Sequence, residues 1–208
     1  MLTPKWEELA EKLKHTVKVA YVDTEGGPTP RSLGPIKGTP TIKAFVPKRA
    51  SARNEKELLE YDSAREVGDL VRFATSRMPS YVERVSNDAE LAKFTAKASD
   101  WGLPRILVFS DKAAGQTSST LKAISSEFRR RVLIAEVRKH ARTEQIISAH
   151  VVSSFPTLVC LGKAGKNGEP LRFEGKQPTY GRLSTFVGKC SLSKPVLTKP
   201  SATDKQEL

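Results

Sequence analysis

The chain has 208 residues, with 35 Lys and Arg against 23 Asp and Glu, a formal net charge of +12, and 38% hydrophobic and 28% charged residues. That balance is the one expected of a soluble globular chain with room for one large domain or two small ones. No apolar run approaches the roughly 18 residues that a membrane-crossing helix needs, which argues against a membrane-spanning protein.

In chain order, Pro4 followed by Trp6, Leu9, Ala10 and Leu13 at i, i+3, i+4 and i+7 spacing predicts a helix starting near Thr3. Val17 to Val22 alternates and is β-branched, and so predicts a strand. Thr39-Pro40-Thr41 opens a further strand, Thr41 to Val46, and a connection from Pro47 to Glu57 leads to Leu58 to Tyr61. A helix closes this part, with Val67, Leu70, Val71 and Ala74 on one apolar face. Tyr81 to Val85 then predicts a strand, Asp88 to Ser99 a helix with Leu91 and Phe94 inward, and Arg105 to Ser110 a buried strand. Leu121, Ile124 and Phe128 mark a helix, and Val132 to Val137 a strand. Phe155-Pro156-Thr157 opens the strand Thr157 to Leu161. The tight-turn signal Lys166-Asn167-Gly168 returns it as a hairpin through Pro170 to Phe173, before a last helix carrying Leu183, Phe186 and Val187.

Four of these elements recur in the same order at an offset of about 115 residues, which makes an internal repeat. Val17 answers to Val132, Pro40 to Pro156, Tyr61 to Phe173 and Leu70 to Leu183. The second copy is longer at its front. Its full order is strand, helix, strand, helix, strand, helix, strand, strand, helix, which implies a mixed α/β sheet covered on both faces. The strand Arg105 to Ser110 has no counterpart in the first copy.

The surplus charge invites a nucleic-acid reading. The basic clusters Arg129 to Arg131, Lys48 to Arg53 and Arg138 to Arg142 are, however, separated and lack interleaved aromatics, so a solvated surface is the better explanation and nucleic acid a weak one. Cys160 and Cys190, the two cysteines, form no C-x-x-C dithiol and have no zinc-like spacing; buried free thiols are the expected state, with a single disulfide as the alternative. His15, His140 and His150 show no mutual metal spacing, so no metal or cofactor is expected. The segment Met1 to Leu9 lacks the apolar stretch of a signal peptide. The tail from Ser191 is rich in Ser, Lys, Thr and Pro and reads as an extended spacer. It presents Lys205-Gln206-Glu207-Leu208, which resembles the address that retains soluble proteins in the endoplasmic reticulum.

The element order, the X-Pro-Thr ahead of an antiparallel hairpin and the retention-like end together resemble the tandem thioredoxin-fold domains of the protein disulfide isomerase family. The resemblance implies a partial catalytic-type domain over residues 1–78, a complete redox-silent domain over 79–190 and a tail over 191–208. It makes Pro40 and Pro156 cis-prolines that hold client polypeptide through the backbone of Thr39 and Phe155, a rigid bend needed once per domain. Leu2-Thr3-Pro4-Lys5-Trp6 matches the pattern downstream of the family's C-G-H-C, which would place the missing dithiol immediately before Leu2, together with the missing strand. Arg77 matches an arginine that can lower a redox thiol's pKa; with no dithiol present, a residue offsetting the helix dipole is the stronger reading.

Tyr21 stands where the family often has a lysine paired with a buried glutamate, and Asp111 to Ser118 stand where a second C-x-x-C would be. The implied role is thiol-disulfide exchange on secretory clients in the endoplasmic reticulum lumen by the full-length form. The alternative is a redox-inactive chaperone or client-binding module. The implied partners are unfolded or disulfide-containing polypeptides and a retention receptor for the C-terminus.

Overall fold

In the computed structural model, residues 2–48, 55–112, 115–164, 169–174 and 178–199 are described. The turn Lys166 to Gly168 and the terminal Lys205 to Leu208 therefore lie outside the described residues. The chain divides between Pro79 and Ser80 into two compact units.

The second unit has one five-stranded sheet in the order β3-β5-β4-β6-β7. Its elements are β3 (Val82–Val85), α3 (Asp88–Trp101), β4 (Arg105–Ser110), α4 (Ser119–Glu127), β5 (Leu133–Arg138), α5 (Glu144–Ala149), β6 (Thr157–Ala164), β7 (Pro170–Glu174) and α6 (Tyr180–Cys190). β3, β5 and β4 run parallel, while β6 and β7 are antiparallel to their neighbours. This is the thioredoxin topology expected from the sequence.

Strand β4 is the axis of this sheet. Its side chains alternate between two cores, as a central strand's must. Ile106 and Val108 pack with Leu121, Ile124, Leu183 and Val187 on one face. Leu107 and Phe109 pack with Phe94, Ile146 and Val159 on the other. Local chemistry fixes the helix ends: the Glu90 amide donates to Asn87 Oδ1 at 2.9 Å at the start of α3, and Gly102 ends α3 in the left-handed region at φ 60°. Tyr180 ties α6 to α4 by donating to Glu127 at 2.7 Å. Burial, then the hydrogen bond and the charge of Glu127, push its pKa up to about 12.

The first unit is simpler. α1 (Thr3–Lys12) and α2 (Val67–Arg77) cover one face of a two-stranded antiparallel sheet, β1 (Ile42–Pro47) with β2 (Lys56–Tyr61). Leu9, Leu13, Ile42 and Leu70 form its core, with Trp6, Val17 and Val19 packed against them.

Three expectations are corrected. Val17 to Val22 forms no strand: in the second unit its counterpart β5 is hydrogen-bonded to β4, and among the described residues the first unit has no such strand to pair with. The cysteines are not free thiols. Cys160 in β6 and Cys190 at the end of α6, both 0% exposed, are joined as a disulfide with their Cα atoms 6.1 Å apart, because α6 packs across the strand that carries Cys160. Finally, the start of the tail is not a free spacer: the amides of Leu192 and Val196 donate to the carbonyls of Arg131 and Arg130 at 2.9 and 2.8 Å.

The disulfide closes a loop of 30 residues, which in the chain-entropy account stabilises the fold by about 3–4 kcal/mol. The double variant C160A/C190A should lower the second unit's urea-unfolding free energy by that order. Reductant should then have no further effect on the variant, and an unchanged midpoint would show the bond to be energetically idle.

Candidate functional site

The two X-Pro-Thr turns share one local geometry. The Thr39–Pro40 and Phe155–Pro156 peptide bonds are both cis. In each turn the threonine after the proline closes the bend: Thr41 Oγ1 donates to the Gly38 carbonyl, and Thr157 Oγ1 donates to the Ser154 carbonyl at 2.7 Å. The threonine thus recurs because its hydroxyl bridges three residues back before β1 and β6 begin.

Around Pro40 the turn is also held from outside. Arg65 Nη2 donates to the Pro40 carbonyl at 3.0 Å. Thr39 and Pro40 are exposed and form part of the wall of an open groove of about 660 Å³. The groove brings together the N-terminal end of α1 (Leu2, Trp6), the segment at Tyr21, and Ile42 of β1. A second, polar groove of about 430 Å³ also borders Pro40 and is lined by Glu60, Asp62 and Arg65.

Around Pro156 the surface differs. Phe155 is half-buried and packs against the core behind β4, with the Lys139 ammonium 5.8 Å from its ring centroid. In front of α4, at the second C-x-x-C position, Ser118 accepts from the Leu121 amide at 3.3 Å. Thr117 donates to the buried Glu136 at 3.2 Å, which also pairs with Arg138 at 3.1 Å. The described residues there offer hydroxyls and a paired carboxylate but no thiol.

Arg77, the last residue of α2, is exposed and its guanidinium lies 5.8 Å from the Phe73 ring centroid. It is not among the residues lining either groove beside Pro40. The run Arg129 to Arg131, expected to be merely solvated, is structural. Arg129 lies 4.3 Å over Tyr81, Arg131 lies 5.1 Å over Phe128, and Arg131 Nε donates to the Leu192 carbonyl at 2.7 Å.

Sequence reasoning missed Lys43. Its side chain is 8% exposed, and its ammonium donates to the carbonyls of Leu33 and Pro35 at 2.8 and 2.7 Å, with Glu60 at 3.5 Å. A lysine facing inward in the middle of the Thr41 to Val46 run was the available signal. It pins residues 33–35 across one face of β1.

Comparison with protein-family models finds no match. The chain is 26% identical over 189 residues to a Dictyostelium discoideum protein named as a protein disulfide-isomerase, covering 89% of this chain and 43% of that protein. It is 37% identical over 73 residues to protein disulfide-isomerase 2-3 of Arabidopsis thaliana, covering 35% of this chain and 15% of that protein. The chain thus spans less than half the length of either relative. Among solved structures, form II of ERdj5 superposes with a TM-score of 0.64 at 16% identity, over 98% of this chain and 26% of that one. The class is therefore a thioredoxin-fold protein. Within that class, its sequence is similar to proteins named as protein disulfide-isomerases.

Replacing Lys43 with Met should leave two carbonyls without their donor and cost about 2 kcal/mol. Limited proteolysis should then cut within residues 24–38 several-fold faster than in the parent. Cleavage at the parent rate would mean that the ammonium does not hold this segment.

Proposed function

We propose that this protein acts in thiol-disulfide folding chemistry on secretory polypeptides, and that these 208 residues contribute client binding to it. The observation that supports the reading is the duplicated X-Pro-Thr turn, exposed at Thr39–Pro40 and flanked by Phe155 at Pro156. At such a bend the backbone groups of the residue before the proline lie at the surface, where an extended client can pair with them as it would with a sheet edge.

The exchange step itself needs a thiolate. Its sulfur attacks one sulfur of a client disulfide, the client S–S bond breaks, and the other client sulfur leaves as thiolate; a second thiol then resolves the mixed disulfide. Cys160 and Cys190 are unsuited to this, being closed on each other inside the core. The family pattern would supply the dithiol directly ahead of Leu2. A buried structural disulfide and the retention-like Lys205 to Leu208 both fit an oxidising lumen such as the endoplasmic reticulum.

Two outcomes are expected. The chain should suppress aggregation of a reduced, carboxymethylated client protein without reducing insulin disulfides, and Phe155→Ala should weaken client binding several-fold in fluorescence anisotropy while circular dichroism stays unchanged. Measurable insulin reduction would overturn the assignment of Cys160 and Cys190, and equal client affinity in the variant would remove Phe155 from the site. In cells, fusing a secretory signal to the chain and deleting Lys205 to Leu208 should move the protein into the medium. Equal retention of both forms would exclude the tail as an address.

A further inference from the structure

Chain enters and leaves each cysteine of the Cys160–Cys190 disulfide, and of those four lengths three are regular structure. Cys160 lies inside β6, and α6 leads into Cys190. The fourth, residues 191–199, leaves the bond with no helix or strand of its own. It is nonetheless fixed along its length. The Leu192 and Val196 amides donate to the Arg131 and Arg130 carbonyls at 2.9 and 2.8 Å, and the Lys199 ammonium pairs with Asp100 of α3 at 2.7 Å. Ser191, the first residue after the bond, is 3% exposed.

Arg131 fastens this strap. Its Nε donates to the Leu192 carbonyl at 2.7 Å and its Nη2 to Ser191 Oγ at 3.4 Å, while its guanidinium lies 5.1 Å from the Phe128 ring centroid. Phe128 and the disulfide belong to one core cluster, with Ile106, Val132 and Val187. Thiol-disulfide exchange needs a thiolate in contact with one of the two sulfurs, in line with the bond to be broken, so access decides its rate. Opening any of the three regular lengths disrupts a strand ladder or a helix packed in that core. Lifting the strap breaks only the contacts just named, so it is the easiest opening toward Cys190 Sγ.

We propose that this strap is a latch that holds the Cys160–Cys190 bond out of thiol-disulfide exchange, with Arg131 as its fastening. The latch goes beyond the client-binding reading and does not depend on it. A structural bond that works beside redox-active dithiols needs such a guard: a thiolate that reached Cys190 Sγ would form a mixed disulfide, release Cys160 as thiolate and unstaple α6 from β6. A corollary fixes when the bond is made. It closes before the strap docks, by exchange with an external disulfide, either a small molecule or an oxidised protein dithiol. The two cysteine thiols give up two electrons and two protons, their S–S bond forms, and the external disulfide is reduced to two thiols.

The test follows reduction of the whole oxidised 208-residue chain by dithiothreitol across a urea series, read by mass after alkylation. In the parent, the rate should rise with urea as steeply as the unfolded population does, because only global unfolding exposes the bond. In Arg131→Ala, the rate without urea should be at least ten-fold higher and nearly independent of urea, the signature of a local opening. Arg131→Lys keeps the charge but not the two-pronged contact, and should behave like the alanine variant. A variant that is merely less stable would also be reduced faster, but with the parent's urea slope. That result would overturn the latch, as would equal rates, or a parent whose reduction is already independent of urea. For the corollary, oxidised glutathione should form the bond in the reduced, urea-unfolded chain at least ten-fold faster than in reduced chain refolded beforehand. A reduced chain that fails to refold would show the same order, whereas comparable rates in a refolded chain would overturn it.

Discussion

Strand β4 is the constraint on which the second unit depends. It is hydrogen-bonded on both sides, to β5 in parallel and β6 in antiparallel sense, and Ile106, Leu107 and Phe109 are each 0% exposed. A strand in that position contributes to both hydrophobic cores, as its neighbours β5 and β6 do, and it sets the spacing at which β6 presents its cis-proline turn. Burial of apolar side chains at about 25 cal/mol per Å² supplies the drive. The paired backbone ensures that none of it is offset by unsatisfied amides.

The first unit shows what the same parts do without that axis. Its helices still bury Leu9, Leu13 and Leu70 against Ile42, so a small core forms on one face. The opposite face is covered by residues 33–36 instead of a helix, and the Lys43 ammonium holds that cover by its two carbonyl contacts. The remaining gap is the groove beside Pro40. Among the described residues, the second copy of the pattern contains a central strand and forms a five-stranded sheet, while the first forms a two-stranded one.

Much of this is readable from the chain. The periodicity of Trp6, Leu9 and Leu13, the continuous apolar run Arg105 to Ser110, and the two X-Pro-Thr turns place most elements within a residue or two, because each is dictated locally by side-chain period or by proline. Val17 to Val22 misleads for a physical reason: its alternation is that of a strand, but a strand exists only when another pairs with it, and pairing is not a local property. The disulfide ranks second to free thiols in the sequence for a related reason. Free and paired cysteines on buried elements look alike in sequence, and only the packing of α6 across β6 brings Cys160 to Cys190. Lys43 is passed over because a charge within an apolar run reads as a surface position until the carbonyls of Leu33 and Pro35 are seen to converge on it.

The two cis-proline turns, so similar in backbone, therefore serve different neighbourhoods. At Pro156 the bend leads into a five-stranded sheet, with Phe155 half-buried and the Lys139 ammonium beside its ring. At Pro40 it leads into a two-stranded sheet, with Thr39 and Pro40 exposed at the groove and Arg65 holding the Pro40 carbonyl. The shared backbone geometry follows from the X-Pro-Thr sequence, whereas the surface around each bend follows from the residues packed against it.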